Sequence, residues 1–327
     1  MTASADSRQP IHPGSHLRRV VALHPVATFL LLAFSVSTAV AQVPVLTGRD
    51  ILPFDLALYE SLGPIFGVAL PAFVVVAAAR GRDGVRELAG RCLRWRVPLR
   101  WYLFAFLSVP ALVLLCVGLV FGRALLVVLA NRWTDVFTTV LPQLVLLSLC
   151  FIVAEEIGFT GFLQARWQDR FGPLKASLLV TIPFAVYHLP VVMVESRFGL
   201  AQMHLALAFL GVLAVLQLFG RVVIMWLYNV TGSSVLLVGL WHASFDATTS
   251  AFGRTFAVPG GIRNAELAGF WMPSAVVVVL AVLVVVLTHG RLAFPAETAS
   301  RRMHPSLAAQ EVSPERSSQL TPKERAL

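Results

Sequence analysis

The 327-residue chain is 57% hydrophobic and 13% charged, against roughly 25% charged in ordinary soluble domains. That balance excludes a disordered chain and supplies more apolar surface than one soluble core can hide, so lipid is its natural solvent. The formal net charge of +9 does not indicate a nucleic-acid partner, because the basic residues cluster between apolar runs and in the tails, where such charge orients membrane helices. Cys92, Cys116 and Cys150 lie in or beside apolar stretches, which excludes a disulfide-stapled secreted module.

Eight apolar runs are long enough to cross a bilayer as helices: 20–42, 56–79, 101–121, 137–165, 174–194, 204–229, 233–252 and 272–289. The expected fold is therefore all-α and polytopic, with about eight transmembrane helices. The first run is too long, and too poor in a small-residue cleavage site, to read as a signal peptide. Between the second and third runs stand Arg80, Arg82, Arg86, Arg91, Arg94, Arg96 and Arg100. Such a cluster belongs on the cytoplasmic side, and an even number of spans then puts both termini there. The tail after Arg291 is polar and is expected to be disordered.

Ionisable side chains within these runs need a partner or a task, because each costs about 2.5–3.5 kcal/mol to insert. The fourth run carries Glu155 and Glu156 side by side. The fifth carries His188, followed by Pro190, which is expected to disturb the helix. The sixth carries Arg221, and the seventh carries His242 and Asp246, four apart and so on one helix face. At a helical rise of about 1.5 Å per residue, Glu155, His188, His242 and Arg221 lie roughly 15, 21, 14 and 12 Å from their inner ends, in one mid-membrane layer. Groups at matched depth on four helices can share one cavity.

A carboxyl group in such a cavity can take a proton from water and pass it to a leaving amine. Two imidazoles and a second carboxylate can hold a carbonyl, stabilise an oxyanion or ligate a metal. The inventory suits peptide hydrolysis by activated water. No Gly-x-Ser-x-Gly elbow is present, and the cysteines lie far in sequence from both deep histidines. Glu155, His188, His242 and Asp246 could equally be ligands of a divalent ion such as zinc, although His-Glu-x-x-His is absent. Both alternatives, metal or none, stay open on residue types alone.

The ordered set Glu155-Glu156, Gly161-Phe162-Leu163, Phe184-x-x-x-His188 and His242-x-x-x-Asp246, with Trp226-Leu-Tyr-Asn-Val-Thr-Gly before the last motif, resembles the CAAX-processing and bacteriocin-processing intramembrane proteases (CPBP, or Abi). The resemblance covers approximately 100–252. It implies an eight-helix intramembrane peptidase, often classed as a metalloprotease. In it Glu155 activates water, and His188, His242 and Asp246 complete the site. The family commonly has an arginine four residues after the second glutamate; here that position is Thr160. Thr160 can still donate a hydrogen bond to Glu156, and Arg221 can supply the missing charge from another helix.

The segments are then an N-terminal cytoplasmic tail (1–19), N-terminal helices with the basic loop (20–99), the CPBP-like catalytic core (100–252), an outer loop with the last span (253–289) and the C-terminal tail (290–327). The expected partners are a membrane-associated peptide or protein substrate and the bilayer, with no nucleic acid. Arginine-rich, lysine-poor usage points to a bacterial plasma membrane. Two other readings use the same residues: a proton-coupled transporter with a carboxylate–histidine relay, and a catalytically decayed immunity or scaffold protein. The absence of a visible inverted repeat weighs against the transporter.

Overall fold

The computed structural model describes residues 13–37, 63–148, 153–189, 192 and 200–294. Among them there are helices and connecting turns but no strand, so the fold is all-α. A short helix, Pro13–Leu23 (α1), meets Pro25–Ser37 (α2) at a bend of 99°. Pro25 accounts for the break, since proline suits the first position of a helix and not its interior. A π-helical turn, Ile65–Ala69, leads into Leu70–Cys92 (α3), which kinks at Gly81, where φ is 62° and ψ is −151°. Only glycine adopts that conformation without strain.

Leu99–Phe121 (α4) is followed by Arg123–Arg132 (α5), which bends by 70° into a π-helical turn, Val136–Val140, and Leu141–Leu146 (α6). Val153–Glu156 (α7) runs through a π-helical stretch, Ile157–Gln164, into Ala165–Phe171 (α8). Gly172 ends α8 with φ at 89°, and Pro173 opens Pro173–Tyr187 (α9), the usual glycine-then-proline punctuation between helices. Met203–Val230 (α10), Val235–Ser250 (α11), the short Ile262–Glu266 (α12) and Met272–Leu287 (α13) complete the set.

Among the described residues, four helices are long and apolar enough to cross a membrane: Ile65–Cys92, Leu99–Phe121, Met203–Val230 and Arg263–Leu287. The number rises to six if each bent pair is one span. The chain is a multi-pass membrane protein, and its outward faces carry exposed Leu107, Leu119 and Val282 as lipid-facing side chains do. One expected span takes a different form: the run 20–42 begins with α1 turned across the axis of α2, and a hydropathy average, which reports apolarity and not direction, joined the two. Of the run 137–165, Leu141–Leu146 belong to the bent pair and Val153–Glu156 carry the carboxylates, while 149–152 between them lie outside the described residues. Pro190, the end of the fourth run's lead-in at Cys150, and the tail beyond 294 also lie outside the described residues.

α9 packs on α10, α10 on α13, and α11 on α4, around a core that includes Phe29, Phe159, Phe162, Val238 and Trp241. The α4–α11 contact has a backbone logic. Pro110 inside α4 has no N–H to give the carbonyl of Phe106, and Ser244 Oγ of α11 donates to that carbonyl at 3.1 Å. One turn away, Trp241 Nε1 donates to Ser108 Oγ at 3.1 Å. Ser244→Ala is expected to cost about 1–3 kcal/mol, the penalty of an unsatisfied buried carbonyl. In a Pro110→Ala background, where residue 110 regains its N–H, the same change is expected to cost less. Thermal melting of the four proteins in detergent reads the difference.

Candidate active site

The centre of the site is the Glu156 carboxylate, which is fully buried (0% exposed) beside an Arg221 side chain that is 1% exposed. Arg221 Nη1 donates to Oε2 at 2.9 Å and Nη2 to Oε1 at 3.0 Å, a bidentate fork from α10 onto the end of α7. Thr160 Oγ1 donates to Oε2 from the same helix, and Arg221 Nη1 also reaches Thr160 Oγ1 at 3.1 Å. His242 Nδ1 lies 2.8 Å from Oε1. Three helices thus converge on one carboxylate. Thr160, four residues after Glu156, and Arg221 of another helix both bond to that carboxylate.

The backbone around Glu156 is shaped for this. In the π-helical stretch that follows it, the N–H of Ala165 bonds back five residues to Thr160. Such stretches shift the register of side chains on a helix and recur at functional sites. The carbonyl of Gly161 accepts from Arg91 Nη1 of α3 at 3.0 Å. Gly158 brings the stretch into close contact with α2 and the Ile65–Ala69 turn: a Cβ there would fall 3.0 Å from Phe29 Cζ, 2.3 Å from Val68 Cγ1 and 3.1 Å from the Val68 carbonyl. Gln164 Nε2 donates to Ser177 Oγ at 3.1 Å and to the carbonyl of Arg221 at 3.3 Å, which secures the backbone behind the guanidinium.

Phe184 joins the cation to the first deep histidine. The Arg221 guanidinium sits 3.7 Å from the Phe184 ring centre, a cation–π contact, and the His188 ring is 4.5 Å from the same ring centre to centre. His188 caps the end of α9 and donates from Nδ1 to the Phe184 carbonyl at 2.8 Å. A carbonyl only accepts, so this bond places a proton on Nδ1 and leaves Nε2 of the neutral ring as an acceptor. The Phe184 ring also lies 6.1 Å from that of His242. Tyr187 packs against Phe159 and His188.

His242 lies between two carboxylates. Its Nε2 is 3.8 Å from Asp246 Oδ2 on the next turn of α11, and the Asp246 side chain is 41% exposed, so the site opens on this side. Glu155 is buried, and its strongest electrostatic neighbours are His242, Glu156, Asp246 and Arg221. Among the described residues nothing donates a hydrogen bond to its carboxylate. The two adjacent glutamates are therefore in opposite situations. Glu156 is saturated with donors, whereas Glu155 faces the same charged cluster with its oxygens available.

The donor set does not suit a resident metal. Among the described residues no three His, Cys, Asp or Glu side chains gather so as to hold an ion. Both oxygens of Glu156 are committed to Arg221, Thr160 and His242.

Sequence reasoning brought forward Glu155, His188, His242, Asp246, Glu156, Thr160 and Arg221, and the structure gathers them around one buried carboxylate. It overlooked Gln164, Ser177 and Arg91. The first two are polar residues in apolar runs, the same signal that marked the others.

Residues 137–248 match the family described as Rce1-like, type II CAAX prenyl endopeptidase. All seven residues of the cluster fall inside that stretch. Comparison with curated proteins gave no match.

Proposed function

We propose, on the premise that residues 137–248 make this chain a CPBP/Rce1-type protein, that it hydrolyses peptide bonds of membrane-associated substrates by water that Glu155 activates. The match over 137–248 supports, in general, a CAAX-protease-like intramembrane endopeptidase acting on a peptide in a membrane. The observation that supports the finer reading is the contrast between the saturated Glu156 and the available Glu155 beside it.

In this reading the substrate carbonyl enters from the open side at Asp246. Glu155 takes a proton from a water molecule, while the acceptor Nε2 of His188 orients that water through its second hydrogen. The oxygen of the water bonds to the carbonyl carbon, and the carbonyl π electrons move to oxygen. His242 carries a proton on each nitrogen, donating Nδ1–H to Glu156 and presenting Nε2–H to that oxyanion. The C–N bond then breaks, the oxyanion re-forms a carbonyl, and Glu155 returns its proton to the departing amine. Asp246 holds the protonated His242, and the Glu156–Arg221 pair holds the ring's orientation. The two histidines thereby have different tasks, one accepting from water and one donating to the oxyanion. The sequence alone had not separated them: both stood as oxyanion stabilisers or metal ligands.

The test is purified protein reconstituted with membrane-tethered peptides of varied sequence, read by mass spectrometry for new termini and by flux assay for transport. Cleavage that disappears in Glu155→Gln supports the proposal. Proton-coupled flux without cleavage would indicate a transporter, whereas a scaffold would show neither and keep its partner binding in Glu155→Gln.

A further inference from the structure

The arginine-rich stretch from the second half of α3 to the start of α4 does more than balance charge across a membrane. It contains seven arginines and two acids from Arg80 to Arg100. Both acids are engaged: Asp83 lies 3.7 Å from Arg86, and Glu87 contacts Arg91 and sits 2.7 Å from Arg80. Arg82, Arg94, Arg96 and Arg100 are exposed, so the surface stays strongly positive.

Large apolar side chains protrude from the same surface. Leu93 is 74% exposed and Trp95 61%, with Leu99 beside them. This exposure is built into the fold. Tyr102 Oη donates to the Trp95 carbonyl at 2.5 Å, and Ser234 Oγ donates to the Arg94 carbonyl at 2.7 Å. With its backbone pinned inward, the turn holds its side chains outward. The guanidinium of Arg96 stands 5.2 Å from the Trp95 ring centre, and that of Arg100 5.3 Å from Trp101. The turn connects two helices of bilayer length, so it sits at the level of lipid headgroups.

A second element has the same chemistry. α1 turns 99° away from α2, packs on α3, buries Val21 and exposes Leu17 and Leu23 next to Arg18 and Arg19. A helix with that pattern, lying across the axis of its neighbour, suits the membrane interface. Apolar side chains for the acyl boundary, ringed by arginines, match a phospholipid with a net negative headgroup. A neutral headgroup leaves the arginines without counter-charge.

We propose that the Leu93–Arg100 turn, together with the basic half of α3, forms a binding site for anionic phospholipids, with headgroup phosphates on Arg96 and Arg100 and Trp95 inserted beside the chains. The site does not depend on the peptidase reading: Trp95, Arg96 and Arg100 are not among the residues around Glu156, and Arg91 of α3 alone is shared, since it also donates to the Gly161 carbonyl.

The experiment uses the full chain in phosphatidylcholine vesicles containing a fixed fraction of phosphatidylglycerol, with bromine on the acyl chains of one lipid or the other at equal mole fraction. The difference between the intact protein and Trp95→Phe isolates quenching of Trp95. The expected result is several-fold stronger quenching by the brominated phosphatidylglycerol, decreasing with salt. Arg96→Gln with Arg100→Gln is expected to remove most of the preference, about fivefold for each arginine, while Arg96→Lys with Arg100→Lys retains it. Equal quenching by the two lipids, or a preference that survives the glutamine changes, would overturn the proposal. So would loss of the preference to inorganic phosphate at constant ionic strength, because the ligand would then be a free anion.

Discussion

Arg221→Leu is expected to destabilise the protein by about 3–5 kcal/mol, the cost of leaving one half of a buried ion pair without the other. Glu156 is 0% exposed and takes both prongs of the guanidinium, so no water replaces the lost donors. The cation also covers the Phe184 ring, and through that ring it supports His188. Arg221→Lys is expected to give an intermediate loss, since an ammonium cannot reproduce the fork. Glu156→Leu combined with Arg221→Leu is expected to be less unstable than the two single losses added together, because the pair is then removed and not merely broken. Thermal midpoints in one detergent decide this. An Arg221→Leu protein that melts with the wild type would show that the fork contributes nothing.

Glu155→Gln is expected to behave differently: folding unchanged, and cleavage reduced about 10²–10⁴-fold, as when a general base is lost. Glutamine keeps the shape of the side chain and cannot take the proton. Since nothing among the described residues donates to this carboxylate, the amide breaks no native hydrogen bond there. The histidine changes are informative in the same assay. His242→Ala removes a partner of Glu156 as well as the oxyanion donor, so it is expected to lower both stability and turnover.

Much of this site was legible because lipid makes polar residues conspicuous. Glu155, Glu156, His188, Arg221 and His242 stand out of apolar runs, and their helical rise put them at one depth before any contact was known. The substitution of Thr160 for the family arginine pointed to Arg221 as the other source of charge, and the guanidinium indeed reaches Glu156. The division of labour between the glutamates was only partly legible, because adjacent residues have the same composition and depth. What separates them is direction, which the π-helical stretch after Glu156 helps to set. The task of His188 was hidden for a related reason: the Phe184 carbonyl that selects its tautomer is backbone, invisible to any reading of side-chain types.

The helix breaks divide in the same way. Gly172-Pro173 and His24-Pro25 announce their boundaries in the sequence. The turn between α5 and Val136–Val140 contains neither glycine nor proline, and it falls in the stretch 122–136 that the apolar runs leave as a connection, so α5 itself was not legible there. The exposed Trp95 turn likewise lies between two runs, where arginines read only as topology, although the hydrogen bonds from Tyr102 and Ser234 give it a defined surface.

The most direct test is to measure melting and peptide cleavage side by side for Glu155→Gln and Glu156→Gln, reconstituted identically. The expected outcome is a wild-type midpoint with lost turnover for Glu155→Gln, and a lowered midpoint with lost turnover for Glu156→Gln. A Glu155→Gln protein that cleaves at the wild-type rate, while melting normally, would contradict the assignment of the water-activating base.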